Sequence, residues 1–284
     1  MKLIKRDKCP FCENNQFKYL FKKDYDSKIL KNFLTEYYND DKICEILQND
    51  QYEICECCNC RGLFQKNIPD EELSIYLYET LISSEDSFNK KLNLSSLNFK
   101  QFFEDAQIIE RLINKKNYKI KILEFGCGWG FWAKFMNSMN FDVETVEISS
   151  PRIEYLKKIG IKNYQSIDAI SNNYDVIFSN QAIEHISHPL ETLSLLKKKL
   201  NNNGIMFHKF PSSFLFKQQL SNNYIPKKNC AHPLEHINIF NKKCFEKMSQ
   251  LLVLKKVKIQ HLNFKNKVKF YKNNFLFKKI ILRK

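Results

Sequence analysis

The stretch ILEFGCGWG, residues Ile122 to Gly130, limits the possible folds more than any other part of this chain. An apolar run ends there in three glycines at alternate positions, Gly126, Gly128 and Gly130. Glycine tolerates positive φ and lets the backbone approach a ligand closely, and a helix that begins at such a turn directs its first N–H groups towards the ligand. The stretch therefore predicts a strand, a ligand-binding turn and a helix.

Strands and helices alternate on the carboxyl side of this turn, which predicts right-handed βαβ crossovers and a parallel sheet covered on both faces. The predicted strands are 119–125, 141–147, 162–166, 174–179 and 204–210. The predicted helices are 99–115, 129–139, 151–159, 189–200 and 242–252. The polar stretch 83–96 is predicted to be a loop or hinge, and alternating apolar and basic residues predict edge strands within 252–284.

Two side chains beside the glycines bear on which nucleotide cofactor the turn holds. The dinucleotide-binding motif requires a small residue after its third glycine, and here Phe131 occupies that position. Glu124 precedes the first glycine by two residues, so its carboxylate would repel a pyrophosphate and attract a cationic amino group. The residues thus argue against NAD and FAD.

The segment EFGCGWG, 124–130, resembles the first motif of class I S-adenosylmethionine-dependent methyltransferases. YDVIFSNQAIEHISHP (174–189) and KKKLNNNGIMFHKFP (197–211) are similar to later motifs of that family, in the same order. The resemblance implies an α/β, Rossmann-like, seven-stranded sheet and S-adenosylmethionine as cofactor. It implies that Glu147 accepts hydrogen bonds from the ribose hydroxyls and that Asp168 reaches the adenine amino group. For Asp168, a purely local role in a polar turn stays open. The predicted cofactor-binding residues are Glu124, Gly126, Gly128, Gly130, Glu147, Asp168 and Asn180.

Two histidines are the predicted catalytic residues. His185 lies in AIEHISHP (182–189), and His236 lies in CAHPLEHINIF (230–240), which resembles a later segment of the same family. Methyl transfer to a hydroxyl or carbon needs a base, and an imidazole with an ordinary pKa near 6.5 suits proton removal. For both residues, a role restricted to orienting the loop stays open.

The first sixty residues contain two C-x-x-C units that predict a structural Zn²⁺ site, since four thiolates form a closed tetrahedron. Cys55 and Cys58 form a competing C-x-x-C unit. The unit Cys57–Cys60 is chosen over Cys55–Cys58 because Asn14 and Gly62, two residues beyond the chosen units, tolerate positive φ. This choice is called the register of the cysteines. The predicted metal ligands are Cys9, Cys12, Cys57 and Cys60.

The amino-terminal segment, CPFC followed by CECCNCRGLFQKNIPDEELSIYLY, is similar to the zinc-binding segment before the methyltransferase domain of sugar C-methyltransferases. The pattern "C..CG..f..p.p..eel...Y" recurs in those proteins. A counterpart of their extra carboxyl-terminal domain is missing here, so O-, N- and C-methylation stay open. The predicted domains are a zinc-ribbon-like module at 1–68, a helical linker at 69–98 and a methyltransferase domain at 99–284. A helical stretch at 27–38 is expected to pack on the catalytic domain.

The net charge of +15 comes almost entirely from lysine, whereas readers of bases and phosphates favour arginine. This composition argues against a nucleic-acid partner. The resemblance to sugar C-methyltransferases implies a small-molecule acceptor, such as a nucleotide-linked sugar for surface polysaccharide. The alternative is an RNA methyltransferase that binds nucleic acid through the zinc module and lysines such as Lys265, Lys267 and Lys269. A third reading is a binding protein that keeps the fold without catalysis.

No opening segment has the pattern of a secretory signal, and no apolar run reaches the roughly 18 residues that span a bilayer. These features predict a cytoplasmic protein. The apolar and basic end, Phe275 to Lys284, is predicted to pack on the domain in preference to a peripheral membrane contact. The oligomeric state is left open.

Overall fold

The computed structural model describes residues 1–221, 224–257 and 277–284. In this part of the chain, no helix is both long and apolar enough to cross a membrane. The strands are β1 (Leu3–Lys5), β2 (Phe17–Asp24), β3 (Gln51–Cys57), β4 (Leu63–Gln65), β5 (Asn67–Pro69), β6 (Lys121–Phe125), β7 (Asp142–Val146), β8 (Asn163–Tyr164), β9 (Tyr174–Asn180), β10 (Leu200–Pro211), β11 (Asn238–Ile239), β12 (Lys255–Lys256) and β13 (Phe277–Arg283). The α-helices are α1 (Lys28–Tyr38), α2 (Lys42–Ile46), α3 (Glu71–Ile75), α4 (Ser84–Leu92), α5 (Ser96–Leu112), α6 (Phe131–Ser138), α7 (Ser150–Lys158), α8 (Pro189–Lys198), α9 (Phe216–Gln219) and α10 (Lys242–Leu251). A π-helical stretch, Tyr76–Leu81, continues α3.

The largest sheet of the described residues has seven strands in the order β12-β13-β10-β9-β6-β7-β8. The five strands from β10 to β8 are parallel, while β13 pairs antiparallel with both β10 and β12. The predicted α/β, Rossmann-like fold is therefore confirmed. The order of the strands places the carboxyl ends of β6, β7 and β9 side by side, so the loops that follow them share one edge of the sheet.

The carboxyl-terminal strands differ in one respect from the prediction of edge strands. β12 does lie at the edge, but β13 is paired on both sides and its Ile280, Ile281 and Leu282 are buried. The apolar residues of β13 are buried because the strand lies between two neighbours. Alternation of apolar and basic residues does not distinguish such an inner strand from an edge strand. Residues 277–284 thus pack on the domain as predicted, whereas 275 and 276 and the lysines proposed to bind RNA lie outside the described residues.

The prediction of a loop or hinge at 83–96 is wrong, because α4 occupies most of that stretch. Ser83 caps the helix by accepting a hydrogen bond from the backbone N–H of Asp86 at 3.1 Å. Glu85 and Asp86 lie in the first turn and two lysines lie in the last, which suits the helix dipole. None of its side chains is fully buried, so the periodic apolar signal of a packed helix is nearly absent.

The amino-terminal part forms a four-stranded sheet in the order β11-β4-β3-β2. Its strand β11 comes from the second half of the chain, since Asn238 pairs with Phe64 and Ile239 with Leu63. Helix α1 confirms the helix predicted at 27–38, and its buried side chains share a hydrophobic cluster with residues 216–239. The division into 1–68, 69–98 and 99–284 stays a prediction.

A buried ion pair fastens α5 to the large sheet. Asp105 of α5 is fully buried, and the ammonium of Lys209 in β10 donates to its carboxylate at 2.8 Å. Lys279 of β13 approaches the other carboxylate oxygen at 3.1 Å. Because an unpaired charge in the interior costs several kcal/mol, each partner depends on the other.

Candidate active site

The three glycines of the turn after β6 all have left-handed backbone conformations, with φ of 69°, 58° and 68°. A Cβ at Gly126 would lie 2.6 Å from the Cβ of Ala182, and one at Gly130 would lie 2.4 Å from Leu156. A Cβ at Gly128 would meet no atom within 4 Å. The outer glycines are thus required by close packing, while the middle one borders open space at the edge of the sheet.

Glu147 follows β7 directly and joins the end of that strand to the glycine turn. One carboxylate oxygen accepts the backbone N–H of Gly128 at 2.8 Å, and the other accepts the N–H groups of Ile148 at 2.9 Å and Ser149 at 3.1 Å. The guanidinium of Arg152 lies 3.7 Å from the same carboxylate. The next side chain, Ile148, is 76% exposed, an unusual position for a large apolar group beside a buried carboxylate.

Glu124 is buried at the end of β6, two residues before the glycine turn. Its Oε2 atom has no hydrogen-bond partner among the described residues. Burial raises the pKa of Glu124 well above its usual range, although the backbone N–H of Ala133 at the start of α6 partly opposes the shift. The side chain therefore offers an unsatisfied oxygen close to the turn, and a cationic group bound beside it would favour the ionised form of this carboxyl.

The other two predicted cofactor residues lie at different distances from this centre. Asn180 ends β9, the strand next to β6, and is half-buried beside Lys209 in register. Asp168 is exposed in a turn after β8, at the far edge of the parallel strands. In the same turn, Ser166 accepts the N–H of Ala169 at 3.2 Å, as in a local polar turn.

The two predicted catalytic histidines lie together, although 51 positions separate them in the sequence. Their ring centroids are 4.9 Å apart. The Nδ1 atom of His185 is 2.8 Å from the hydroxyl of Tyr78, and the Nδ1 atom of His236 is hydrogen-bonded to the carbonyl of Asn229. One nitrogen of each ring thus has an oxygen partner. The ring of His185 also hydrogen-bonds to the backbone carbonyl of Glu235.

Burial keeps both imidazoles neutral. It lowers the pKa of His185 well below its usual range, and the neighbouring His236 adds to the effect. Burial also lowers the pKa of His236 to about 4. At neutral pH, both rings therefore carry a lone pair on one nitrogen.

Sequence reasoning missed three side chains at this place: Tyr78, Glu184 and Arg152. Tyr78 comes from the π-helical stretch, a kind of distortion that often occurs at functional sites. Its only signal in the sequence was the tyrosine of the similarity pattern shared with sugar C-methyltransferases. Glu184 is buried in the turn after β9, and neither of its carboxylate oxygens has a hydrogen-bond partner among the described residues. The guanidinium of Arg152 lies 3.7 Å from the Glu147 carboxylate. Burial lowers the pKa of His185, and the charge of Arg152 adds to this effect.

Helix α4 forms a wall beside the glycine turn. Phe88 packs against Trp129 and Tyr155 with ring centroids 4.8 and 4.9 Å apart. The indole N–H of Trp129 donates to the hydroxyl of Ser87 at 3.2 Å. The ammonium of Lys91, from the last turn of α4, is crowded by protein, which lowers its pKa; the charge of Arg152 lowers it further, while Glu124 raises it.

The four cysteines predicted as metal ligands come together in the amino-terminal sheet. Their sulfur atoms all lie within 4.8 Å of one another, with Cys9 and Cys60 at 3.5 Å and Cys12 and Cys57 at 3.6 Å. Zn–S bonds of about 2.3 Å arranged as a tetrahedron place the sulfurs about 3.8 Å apart, so this group fits a zinc ion. Cys58 of the competing register is exposed.

The backbone reason given for that register is wrong in detail. Positive φ occurs one residue after each unit, at Glu13 (58°) and Arg61 (60°), and not at Asn14 or Gly62. Gly62 is needed for a different reason, because a Cβ there would lie 2.3 Å from the ring of Phe11. Local sequence could not show this packing, since the ring reaches Gly62 through tertiary contacts.

Residues 100–252, more than half of the chain, match a protein family described as "Methyltransferase domain". The chain belongs to this family. The matched range begins in α5 and ends just after α10, so it includes the glycine turn, Glu147 and both histidines.

Two curated relatives illustrate the range of similar proteins. A malonyl-[acyl-carrier protein] O-methyltransferase of Paenibacillus is 29% identical over 125 residues, which cover 38% of this chain and 45% of that protein. A ubiquinone biosynthesis O-methyltransferase of Rickettsia canadensis is 31% identical over 109 residues, covering 34% of this chain and 46% of that protein. The similarity thus spans somewhat less than half of each relative.

Two solved structures share the fold at low sequence identity. A plantazolicin methyltransferase, BpumL, in complex with a triazolic desmethylPZN analog and SAH, is 15% identical with a TM-score of 0.56, covering 75% of this chain and 94% of that one. A 1,6-didemethyltoxoflavin-N1-methyltransferase of Burkholderia thailandensis is 12% identical with a TM-score of 0.51, covering 80% and 97%. Both confirm the Rossmann-like methyltransferase fold.

Proposed function

We propose that this family member transfers the methyl group of S-adenosylmethionine to a small-molecule acceptor. One observation carries the proposal. A left-handed glycine turn tied to Glu147 and a cluster of neutral histidines follow neighbouring strands at the same edge of one parallel sheet, with Arg152 beside Glu147. Open α/β sheets bind their ligands at this edge.

The proposed cofactor site uses features that the described residues leave unsatisfied. The free oxygen of Glu124 suits the amino group of the methionine part, and the open space at Gly128 allows close approach of the cofactor to the backbone. Glu147 is placed to accept the ribose hydroxyls, and the exposed face of Ile148 suits the adenine ring. Roles for Asn180 and Asp168 stay predictions from the resemblance.

The acceptor side consists of His185, His236 and Tyr78 in this proposal. The cofactor, when bound, supplies an electrophilic methyl group on a sulfonium. A hydroxyl nucleophile must lose its proton, and the neutral imidazoles provide lone pairs for that purpose. The hydroxyl of Tyr78 fixes the orientation of the His185 ring, so Tyr78 acts as a positioning residue.

Cations near the site favour an anionic acceptor. Lys91, Arg152 and Lys228 lie close enough for the charges of Arg152 and Lys228 to lower the pKa of Lys91. Three cations around one cleft would attract a phosphorylated molecule. Together with the resemblance of the amino-terminal segment, this favours a nucleotide-linked sugar or a precursor of surface polysaccharide.

The cysteine cluster is proposed to hold a structural Zn²⁺. Cys57, Cys60 and their partners leave no ligand position open, so this ion would stabilise the amino-terminal sheet and take no part in methyl transfer. The lysines on which the RNA alternative depends lie outside the described residues, and the named acceptors of the relatives in both comparisons are not nucleic acids.

Calorimetry with S-adenosylmethionine tests the proposal directly. Wild-type protein is expected to bind one equivalent, and Glu147→Gln is expected to bind more weakly by at least about tenfold, or about 1.4 kcal/mol. Glu144→Gln is the matched control, because Glu144 lies in β7, the strand that precedes Glu147, but accepts hydrogen bonds from Lys162 and Tyr164 outside the site. Equal binding by wild type and Glu147→Gln would refute the cofactor site.

A further inference from the structure

Glu184, His185 and His236 form a second group of metal-ligating side chains, separate from the cysteines. One ligand atom from each residue lies within 4.8 Å of the other two. The three residues come from two loops, the turn after β9 and the segment before β11. The loops are held together by Asn238, whose side-chain amide donates to the carbonyls of Ile183 and Ile186 at 3.2 and 2.6 Å.

Both histidine rings are held in the way that metal-binding histidines usually are. A ligating imidazole typically donates its other ring N–H to an oxygen, which fixes the ring and leaves one nitrogen for the metal. Here the Nδ1 atoms of His185 and His236 are paired with the Tyr78 hydroxyl and the Asn229 carbonyl, respectively. For His236, this leaves Nε2 as the ligand atom. The ring of His185 also hydrogen-bonds to the backbone carbonyl of Glu235, a contact that a metal ion bound at this ring would replace.

Glu184 provides an independent observation that points to a ligand. The residue is 1% exposed, and both of its carboxylate oxygens are buried without a hydrogen-bond partner among the described residues. A buried carboxylate normally accepts several hydrogen bonds or pairs with a cation, because removing it from water is costly. Among the described residues, only its own backbone N–H acts on this carboxylate.

We propose that Glu184, His185 and His236 bind a divalent transition-metal ion that coordinates the acceptor. Two imidazoles and one carboxylate are a ligand set for ions such as Zn²⁺, Co²⁺ or Mn²⁺, and three protein ligands leave positions open. An acceptor with two neighbouring oxygens, such as a vicinal diol, would occupy those positions. This inference rests on the proposed function for the identity of the reaction, but the metal site itself does not.

With the metal bound, the histidine lone pairs act on the acceptor through the ion, which replaces direct proton removal by the imidazoles. The ion lowers the pKa of a bound hydroxyl, so its O–H bond breaks and the proton goes to solvent. The oxygen lone pair then forms the new bond to the methyl carbon. The S–CH₃ bond breaks with its electron pair left on sulfur, so S-adenosylhomocysteine leaves as a neutral thioether.

Metal stoichiometry tests the site with metal alone. Protein freed of metal and dialysed against Co²⁺ is expected to bind two equivalents, of which only the cysteine site shows thiolate-to-metal charge-transfer absorption. Glu184→Gln is expected to lose the second equivalent of Co²⁺, the one that shows no thiolate-to-metal absorption. Glu235→Gln is the matched control, because Glu235 is buried directly before His236 but its side chain pairs with Tyr38 and His232 outside the cluster.

A second variant keeps the test decisive if Glu184→Gln does not fold. Tyr78→Phe removes the oxygen that holds His185 but none of the three ligands, and it is expected to weaken the second site by about 10- to 100-fold. Wild-type protein that binds only the thiolate-bound equivalent would overturn the proposal and leave the imidazoles as direct bases. A Glu184→Gln or Tyr78→Phe protein that retains the second equivalent at wild-type affinity would overturn it too.

Calorimetry with S-adenosylmethionine on the same samples separates this inference from the proposed function. Cofactor binding without a second metal refutes only the metal site. A second metal without cofactor binding refutes only the methyltransferase proposal, because the stoichiometry does not depend on the reaction.

Discussion

Replacing Gly128 by alanine isolates the requirement for open space in the glycine turn. Gly128 has a φ of 58°, and a Cβ at this position would meet no protein atom within 4 Å. The substitution therefore costs the folded protein only the left-handed strain of an L-residue, about 1–2 kcal/mol. For a chain of this size, that corresponds to a fall in Tm of roughly 2–8 °C.

Gly160 offers a matched control at the end of α7. Its φ is 71°, and a Cβ there would also meet nothing within 4 Å. Gly160→Ala should therefore cost the same strain energy as Gly128→Ala. The two variants differ in location, because only Gly128 lies in the turn that donates its N–H to Glu147.

The effect on the cofactor should separate the two variants. A cofactor atom in van der Waals contact with the Gly128 Cα would lie about 3.5–4.0 Å from it. A Cβ added about 1.5 Å from that Cα would therefore clash with the cofactor atom. We expect Gly128→Ala to weaken S-adenosylmethionine binding by at least about tenfold, or about 1.4 kcal/mol, and Gly160→Ala to leave it unchanged. Calorimetry measures the affinity, and thermal unfolding without ligand measures the strain. Wild-type affinity in a folded Gly128→Ala protein would refute the placement of the cofactor over this turn.

Three further predictions concern stability. Cys57→Ser should remove the structural metal and destabilise the protein by more than about 3 kcal/mol in chemical unfolding. Cys58→Ser, at an exposed position, should not. Equal effects of the two substitutions would argue against the chosen register. Burial opposes ionisation of Glu144, but hydrogen bonds, led by that from Lys162, lower its pKa to about 2. Since its folded pKa lies below the unfolded value, this stabilisation is present above about pH 4.5 and lost as the pH falls towards 2; it amounts to about 1–2 kcal/mol after solvent screening. Acid unfolding of Glu144→Gln should lack that part of the pH dependence, and an unchanged profile would contradict the assignment. Asp105→Asn leaves its buried lysine partner unpaired and should cost about 3–5 kcal/mol in urea unfolding; a loss under 1 kcal/mol would show that the pair is not needed.

Several parts of the fold and the site could be predicted because their causes are local. The glycine turn and the strands around it depend on backbone conformation and on apolar periodicity within about ten residues. The same holds for the C-x-x-C units, whose spacing brings two sulfurs together within one turn. The cysteine cluster then followed from pairing two such units, and its sulfur distances agree with that pairing.

Other parts were not predicted because their signals are weak or distant. Helix α4 buries none of its side chains completely, so its polar sequence did not predict a helix. It nevertheless packs beside the glycine turn through Phe88 and Trp129. The sequence suggested Gly62 as the residue with positive φ, but the positive φ lies at Arg61. Gly62 is needed because Phe11 packs closely against it, and this contact is not visible in the sequence.

The sequence by itself determined the class of fold, the glycine turn after β6, and which histidines and cysteines were candidates, since each depends on residue type at short spacing. The tertiary structure alone decided which side chains meet. Tyr78 reaches His185 across 107 positions, and β11 joins a sheet formed by the first seventy residues. The same folding brought Glu184, His185 and His236 within ligand distance of one another. These contacts depend on how helices and loops pack around the sheet, and no local pattern of residues encodes a distance between segments so far apart in the chain.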